Sequence, residues 1–103
     1  QMEIDVLGYC NGGNPKAVVV EVKSHLREDG IVQMLGILER FPAFYPEHAD
    51  KELYGILAVV DAPKELKTRV LNEGIWLAHI HDEIFTLDVP EGFKVKVFTQ
   101  ATA

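Results

Sequence analysis

A β-hairpin that gathers charge on one face is the strongest constraint this sequence sets on its own fold. Glu3-Ile4-Asp5-Val6-Leu7 and Ala17-Val18-Val19-Val20-Glu21-Val22-Lys23 are strand-forming runs, and Asn11-Gly12-Gly13-Asn14-Pro15 between them is turn-forming. If the hairpin is centred near Gly13, antiparallel pairing sets residue 5 opposite residue 21. Side chains alternate faces with period two, so Asp5, Glu21 and Lys23 share a face. Two carboxylates ~5 Å apart at an effective dielectric of about 20 repel by roughly 3 kcal/mol. Such a pair calls for a cation; Lys23 can supply one, and a divalent metal a stronger one. An ion-pair cluster on a surface strand would explain the same three residues. The flanking valines weigh against it, because charge inside a buried strand tends to be functional.

The rest of the chain sorts into elements around this hairpin. The valine run 17–22 reads as a central strand covered on both faces. After a polar link at 24–30, Ile31, Met34, Leu35, Leu38 and Phe41 recur at helical spacing, predicting an amphipathic helix that ends near Pro42. Residues 42–51 read as a loop or a broken helical extension. Residues 53–60 form a second buried strand. Asp61-Ala62-Pro63 starts a helix that runs to about Asn72 and stops at Gly74. Residues 75–80 are a third buried strand, His81-Asp82-Glu83 turns into 84–87, and Pro90-Glu91-Gly92 precedes a last short strand at 94–98. The expected class is α/β, a mixed sheet flanked by helices in the order β-β-α-β-α-β-β-β, with a right-handed crossover between its parallel strands.

The 103 residues suffice for one domain, 1–103, with one core. A strand pattern begins within three residues of Gln1, which leads us to expect a C-terminal fragment of a longer protein. A net charge of −6 argues against a chain that coats nucleic acid by bulk charge. It leaves room for one that holds nucleic acid through a metal and a local basic strip. No apolar run approaches the ~20 residues of a membrane span. No signal-peptide pattern opens the chain, and the single cysteine, Cys10, leaves no intrachain disulfide, so a cytoplasmic protein is expected.

The Asp…Glu-x-Lys pattern on a hairpin, followed by helix, strand, helix and strand, resembles the PD-(D/E)XK nuclease superfamily, the restriction-endonuclease-like fold. Within it the chain is similar to uncharacterised prokaryotic proteins that carry this core behind a long helical, coiled-coil-like N-terminal region. The matching stretches are 3–7, 18–24, 53–58 and 72–77, and the likeness covers residues 3–98. The resemblance implies a metal-dependent nuclease that hydrolyses phosphodiester bonds in DNA, with RNA left open. It implies Mg²⁺, or Mn²⁺, held by Asp5, Glu21 and the backbone carbonyl of Val22. Lys23 would orient or deprotonate the attacking water or stabilise the developing charge, and Gln33 would be auxiliary. The acidic residue that the family carries on a preceding helix has no counterpart here. An inactive nuclease-fold module for nucleic-acid binding or assembly therefore stands as the alternative, and a generic α/β interaction domain as a third reading. A homodimer is expected, because exposed sheet edges tend to pair.

Other residues read more plainly. His79 and His81 share a strand face, but no third zinc ligand has recognisable spacing. His25 could touch phosphate or simply end a strand. Cys10 has no partnered histidine nearby, and Gly12-Gly13 reads as a turn because no lysine-serine P-loop pattern follows. Phe41, Phe44 and Tyr45 read as core and helix-end packing.

Overall fold

The structure, a computed structural model, describes residues 2–99. Its centre is a five-stranded mixed sheet whose strand order is the order of the chain: β1 (Val6–Cys10), β2 (Lys16–His25), β3 (Glu52–Asp61), β4 (Trp76–His81) and β5 (Ile84–Leu87). The outer pairs, β1 with β2 and β4 with β5, are antiparallel; the two inner pairs are parallel. Helix α1 (Glu28–Phe44) makes the first parallel crossover and α2 (Lys64–Asn72) the second. The class is α/β, as the alternation of strand and helix patterns implies.

The hairpin register matches the sequence reading. Val6 pairs with Val20 and Leu7 with Val19, so residue 5 faces residue 21 across the end of the ladder. The first strand begins at Val6, later than expected, because Asp5 turns its backbone N–H to the Glu21 side chain.

The helices do not flank the sheet; both lie on one side of it. Two right-handed crossovers that advance in the same direction put their helices on the same face. Ala17 and Val19 of β2, Leu53, Leu57 and Val59 of β3 and Leu77 of β4 pack there against Ile31, Met34, Ile37, Leu38 and Phe41 of α1 and Val70 of α2. This corrects the expectation that the valine run is covered on both faces: Val18, Val20 and Val22 point to the other side, outside the core. Gly55 makes the close packing possible. A Cβ there would stand 2.9 Å from both Met34 Cε and Leu38 Cδ1, so any side chain at this position makes those two ends shift.

The helix boundaries follow from their ends. Glu28 and Asp29 stand in the first turn of α1, where carboxylates favour the positive end of the helix dipole. Pro42 lies inside the helix rather than ending it. It lacks only one N–H, and the Tyr45 N–H still donates to the Phe41 carbonyl at 2.9 Å, which carries the helix through Phe44. A 3-10 turn, Pro46–His48, follows where the sequence suggested a loop or broken extension. Helix α2 stops at Gly74, whose φ of +80° suits the left-handed position after a helix. Asp82 and Glu83, at φ of +50° and +65°, link β4 to β5 in the manner of a two-residue type I′ hairpin.

Residues 94–98 do not form the expected last strand. They make a strap beneath the sheet: the Lys96 N–H donates to the Gly74 carbonyl at 2.9 Å and the Phe98 N–H to the Leu53 carbonyl at 2.7 Å. Val95 and Val97 alternate like strand residues, yet only single bonds to two different strand ends are available there, so no ladder forms. The order is thus β-β-α-β-α-β-β. No helix among the described residues is long and apolar enough to cross a membrane.

Candidate functional site

The hairpin end brings Asp5, Glu21 and Val22 together by two reciprocal bonds. The Asp5 N–H donates to Glu21 Oε2 at 2.9 Å, and the Val22 N–H donates to Asp5 Oδ2 at 2.9 Å. Each carboxylate thus has one oxygen on a backbone donor and, among the described residues, one free of such a bond. Asp5 is exposed, whereas Glu21, on the helix-covered face of β2, is only 5% exposed. Burial first, and the charge of Asp5 as well, hold the Glu21 carboxyl above its ordinary range; the Asp5 N–H and the Lys23 ammonium pull it back down.

Lys23 follows Glu21 on the same face, two residues along β2, and its charge is felt by the Glu21 carboxyl although its ammonium bonds a neutral amide. Its Nζ donates to Gln33 Oε1 at 3.0 Å. Its stem crosses the start of α1, with Cε 3.7 Å from where a Gly30 Cβ would lie. Gly30 and Gln33 stand one helical turn apart, so α1 supplies both the space for the lysine stem and the amide that holds its head.

Lys23 and Gln33 also line an open groove of about 430 Å³ with His25, Arg27, Asp29 and Gly30. Lys23 and Arg27 against Asp29 leave this groove with a small positive excess in a chain of charge −6. Arg27 and Asp29 were not apparent from the sequence; only knowledge of where α1 starts relative to β2 brings them beside Lys23. His25 sits at the groove rim with Nδ1 3.3 Å from Asp61 Oδ2, both largely exposed.

The acids Asp5 and Glu21 form a set of two. Among the described residues no three His, Cys, Asp or Glu side chains gather as a metal-holding group. Two carboxylates do not make a structural zinc site. They do suit Mg²⁺, which commonly takes one or two carboxylates and completes its shell with water and phosphate. His81 Nε2 lies 3.4 Å from Asp82 Oδ2 at the β4–β5 turn, and His79 is half-buried on the same strand face.

Elsewhere, Cys10 is free and exposed. Phe41 is fully buried and stacks on Tyr45 with ring centres 5.0 Å apart, while Phe44 is exposed. A buried polar pair that the sequence did not announce, His48 and Lys51, lies beside Tyr9. The His48 ring is 4.4 Å from that of Tyr9, and Lys51 Nζ donates to the Glu47 carbonyl at 3.2 Å. A further hollow, about 690 Å³ between α1 and residues 96–99, is lined by neither of these acids. Compared with family models, curated proteins and solved structures, the chain finds no match.

Proposed function

We propose that this chain is a metal-dependent nuclease domain of the restriction-endonuclease-like type, acting on DNA. The observation that carries the reading is the buried Glu21 carboxylate, locked beside Asp5 while the ammonium of Lys23, two residues along the strand, bonds Gln33. Two acids side by side without a direct cationic partner are an unfavourable arrangement that a divalent ion would relieve. Asp5, Glu21 and the Val22 backbone carbonyl are the groups that would hold Mg²⁺ or Mn²⁺. A bound ion of this kind lowers the pKa of a water and offsets phosphoryl charge.

The chain's own residues would do the rest. Lys23, bonded to Gln33, lines the groove with it, and its ammonium would hold a water or a phosphate oxygen there by hydrogen bond. Arg27 in the same groove adds a second positive charge that would contact a phosphate backbone. Attraction confined to this groove suits a protein whose total charge would otherwise repel nucleic acid.

The test is calorimetric titration of Mg²⁺ and Mn²⁺ into the wild-type chain and Asp5→Ala, followed by a plasmid-nicking assay. Metal heat in the wild type that Asp5→Ala abolishes is the expected result; its absence in the wild type would sink the metal site. A second reading, an inactive nuclease-fold module, is favoured by one observation: both carboxylates already bond backbone N–H groups and so fasten the hairpin without any ion. Under that reading Asp5→Ala loses stability and no metal heat appears.

A further inference from the structure

The side of the sheet opposite the helices is apolar and carries no helix; Ala58 and Ala78 are buried among the larger side chains around them, and Val20, Ile56 and Trp76 are half-buried. Register lines its residues into rows that cross the strands. Val6, Val20, Ile56 and Trp76 form one row; Val22, Ala58, Ala78 and Leu87 form the next. Ile80 pairs with Phe85 beyond them, and Val18 with Tyr54 on the other side. Five of the large apolar residues that stand exposed in this protein, Val6, Val22, Val60, Phe85 and Leu87, lie here. None of the two rows' residues belongs to the core under the helices. The α1 and α2 helices and the 94–98 strap all pack on the other side or beneath it.

Charge is nearly missing from this face. Among the described residues its only ionic groups are Lys16 and Glu52 in its end row, and they neutralise each other, with Lys16 Nζ 2.9 Å from Glu52 Oε1. The Tyr54 hydroxyl donates to the same oxygen at 3.0 Å. The −6 net charge is therefore carried elsewhere, and two copies could meet through this face without bringing like charges together.

Size and shape select the occupant. At ~3.3 Å per residue along a strand and ~4.8 Å between strands, the five strands present roughly 550 Å² in projection. Side chains standing on the sheet raise the accessible area above that figure. A specific interface needs about 500 Å² or more from each partner, so one sheet face against another meets the requirement. The surface is a broad layer of branched and aromatic side chains. Such layers stack on their like at ~10 Å.

We infer that this chain forms a two-fold homodimer by stacking the helix-free faces of its two sheets. The contact is isologous, with the Val20–Ile56–Trp76 row at its centre and the Lys16–Glu52 pairs at its rim. The inference is independent of any metal or nuclease activity.

Trp76, the only tryptophan, lies in the central row and reports on the contact. The experiment is sedimentation equilibrium together with tryptophan emission over a dilution series, on the wild type, Val22→Lys, Phe85→Lys and Val32→Lys. Val22 and Phe85 are exposed on the face, so a folded monomer tolerates lysine there; Val32 is exposed on α1, away from it. The expected result is a species of twice the 11.5 kDa chain mass. Its Trp76 emission should shift to the red on dilution. Val22→Lys and Phe85→Lys should be folded by circular dichroism and monomeric, and Val32→Lys dimeric. A wild-type monomer at every soluble concentration overturns the inference and gives the face to another occupant. A dimer whose Trp76 emission ignores dilution, or one that survives in both folded face variants, overturns it equally.

Discussion

Replacing Glu21 by glutamine should make this protein more stable at neutral pH, although it removes a residue of the candidate site. The amide oxygen of the new side chain can still accept the Asp5 N–H that now reaches Glu21 Oε2 at 2.9 Å, so that donor keeps its acceptor. What disappears is a buried negative charge next to another. Repulsion from Asp5 has an upper bound of roughly 3 kcal/mol, reduced because Asp5 is exposed, and the desolvation of the carboxylate adds to it. Against this, a neutral acceptor makes a hydrogen bond weaker by about 1 kcal/mol. The net gain is about 1–2 kcal/mol, which raises the Tm of a domain this size by roughly 5–10 °C. The pH dependence has a definite sign. The folded-state pKa of Glu21 lies above its ordinary 4.5, so the native state takes up its proton more readily than the unfolded chain. The penalty is fully present above the folded pKa and fades as pH falls through it toward 4.5. Thermal unfolding by circular dichroism, with a chelator present, should therefore show the two proteins separated at about pH 7 and converging near pH 4. A glutamine variant less stable than the wild type at neutral pH, or a gap that does not close with acid, would refute the description of Glu21 as a strained charge.

Two further outcomes follow from the packing. Gly55→Val should destabilise the domain by roughly 1–3 kcal/mol in urea titrations, because the new side chain collides with Met34 and Leu38 and forces α1 off β3. The exposed ion pair between Arg69 and Glu28 should contribute less than ~1 kcal/mol in a double-mutant cycle and lose that in high salt.

Much of this architecture could be read from the residues, and the exceptions have physical causes. The hairpin register was legible because a five-residue turn run fixes the centre and the alternation about it fixes the faces, so Asp5 meets Glu21. Helix α1 was legible from Ile31, Met34, Leu38 and Phe41, all of which are buried. The helix-free face was not, because a run such as Val18-Val19-Val20 has the same composition whether one side is covered or two. The handedness of two successive crossovers carried that information; composition did not. The 94–98 segment misled because alternation describes a strand only where a neighbouring edge offers a ladder. Lys23 and Gln33 were expected near one another from resemblance alone, and their bond could not be derived from spacing, since it depends on the angle at which α1 leaves β2. The Tyr9, His48 and Lys51 grouping escaped notice for the same reason: it joins a strand edge to a 3-10 turn on the far side of α1 in the sequence.

Because each strand pairs only with those before and after it in the chain, assembly can follow synthesis. The Val6–Cys10 and Lys16–His25 hairpin closes first, and each later strand finds its docking edge already made by residues that left the ribosome earlier. Pairing between consecutive strands spares the growing polypeptide a search among several partners, while the two parallel pairs wait for the crossover helices between them. Among the described residues, the bonds from Lys96 to Gly74 and from Phe98 to Leu53 come after all five strands, acting as a latch that closes once those strands are in place.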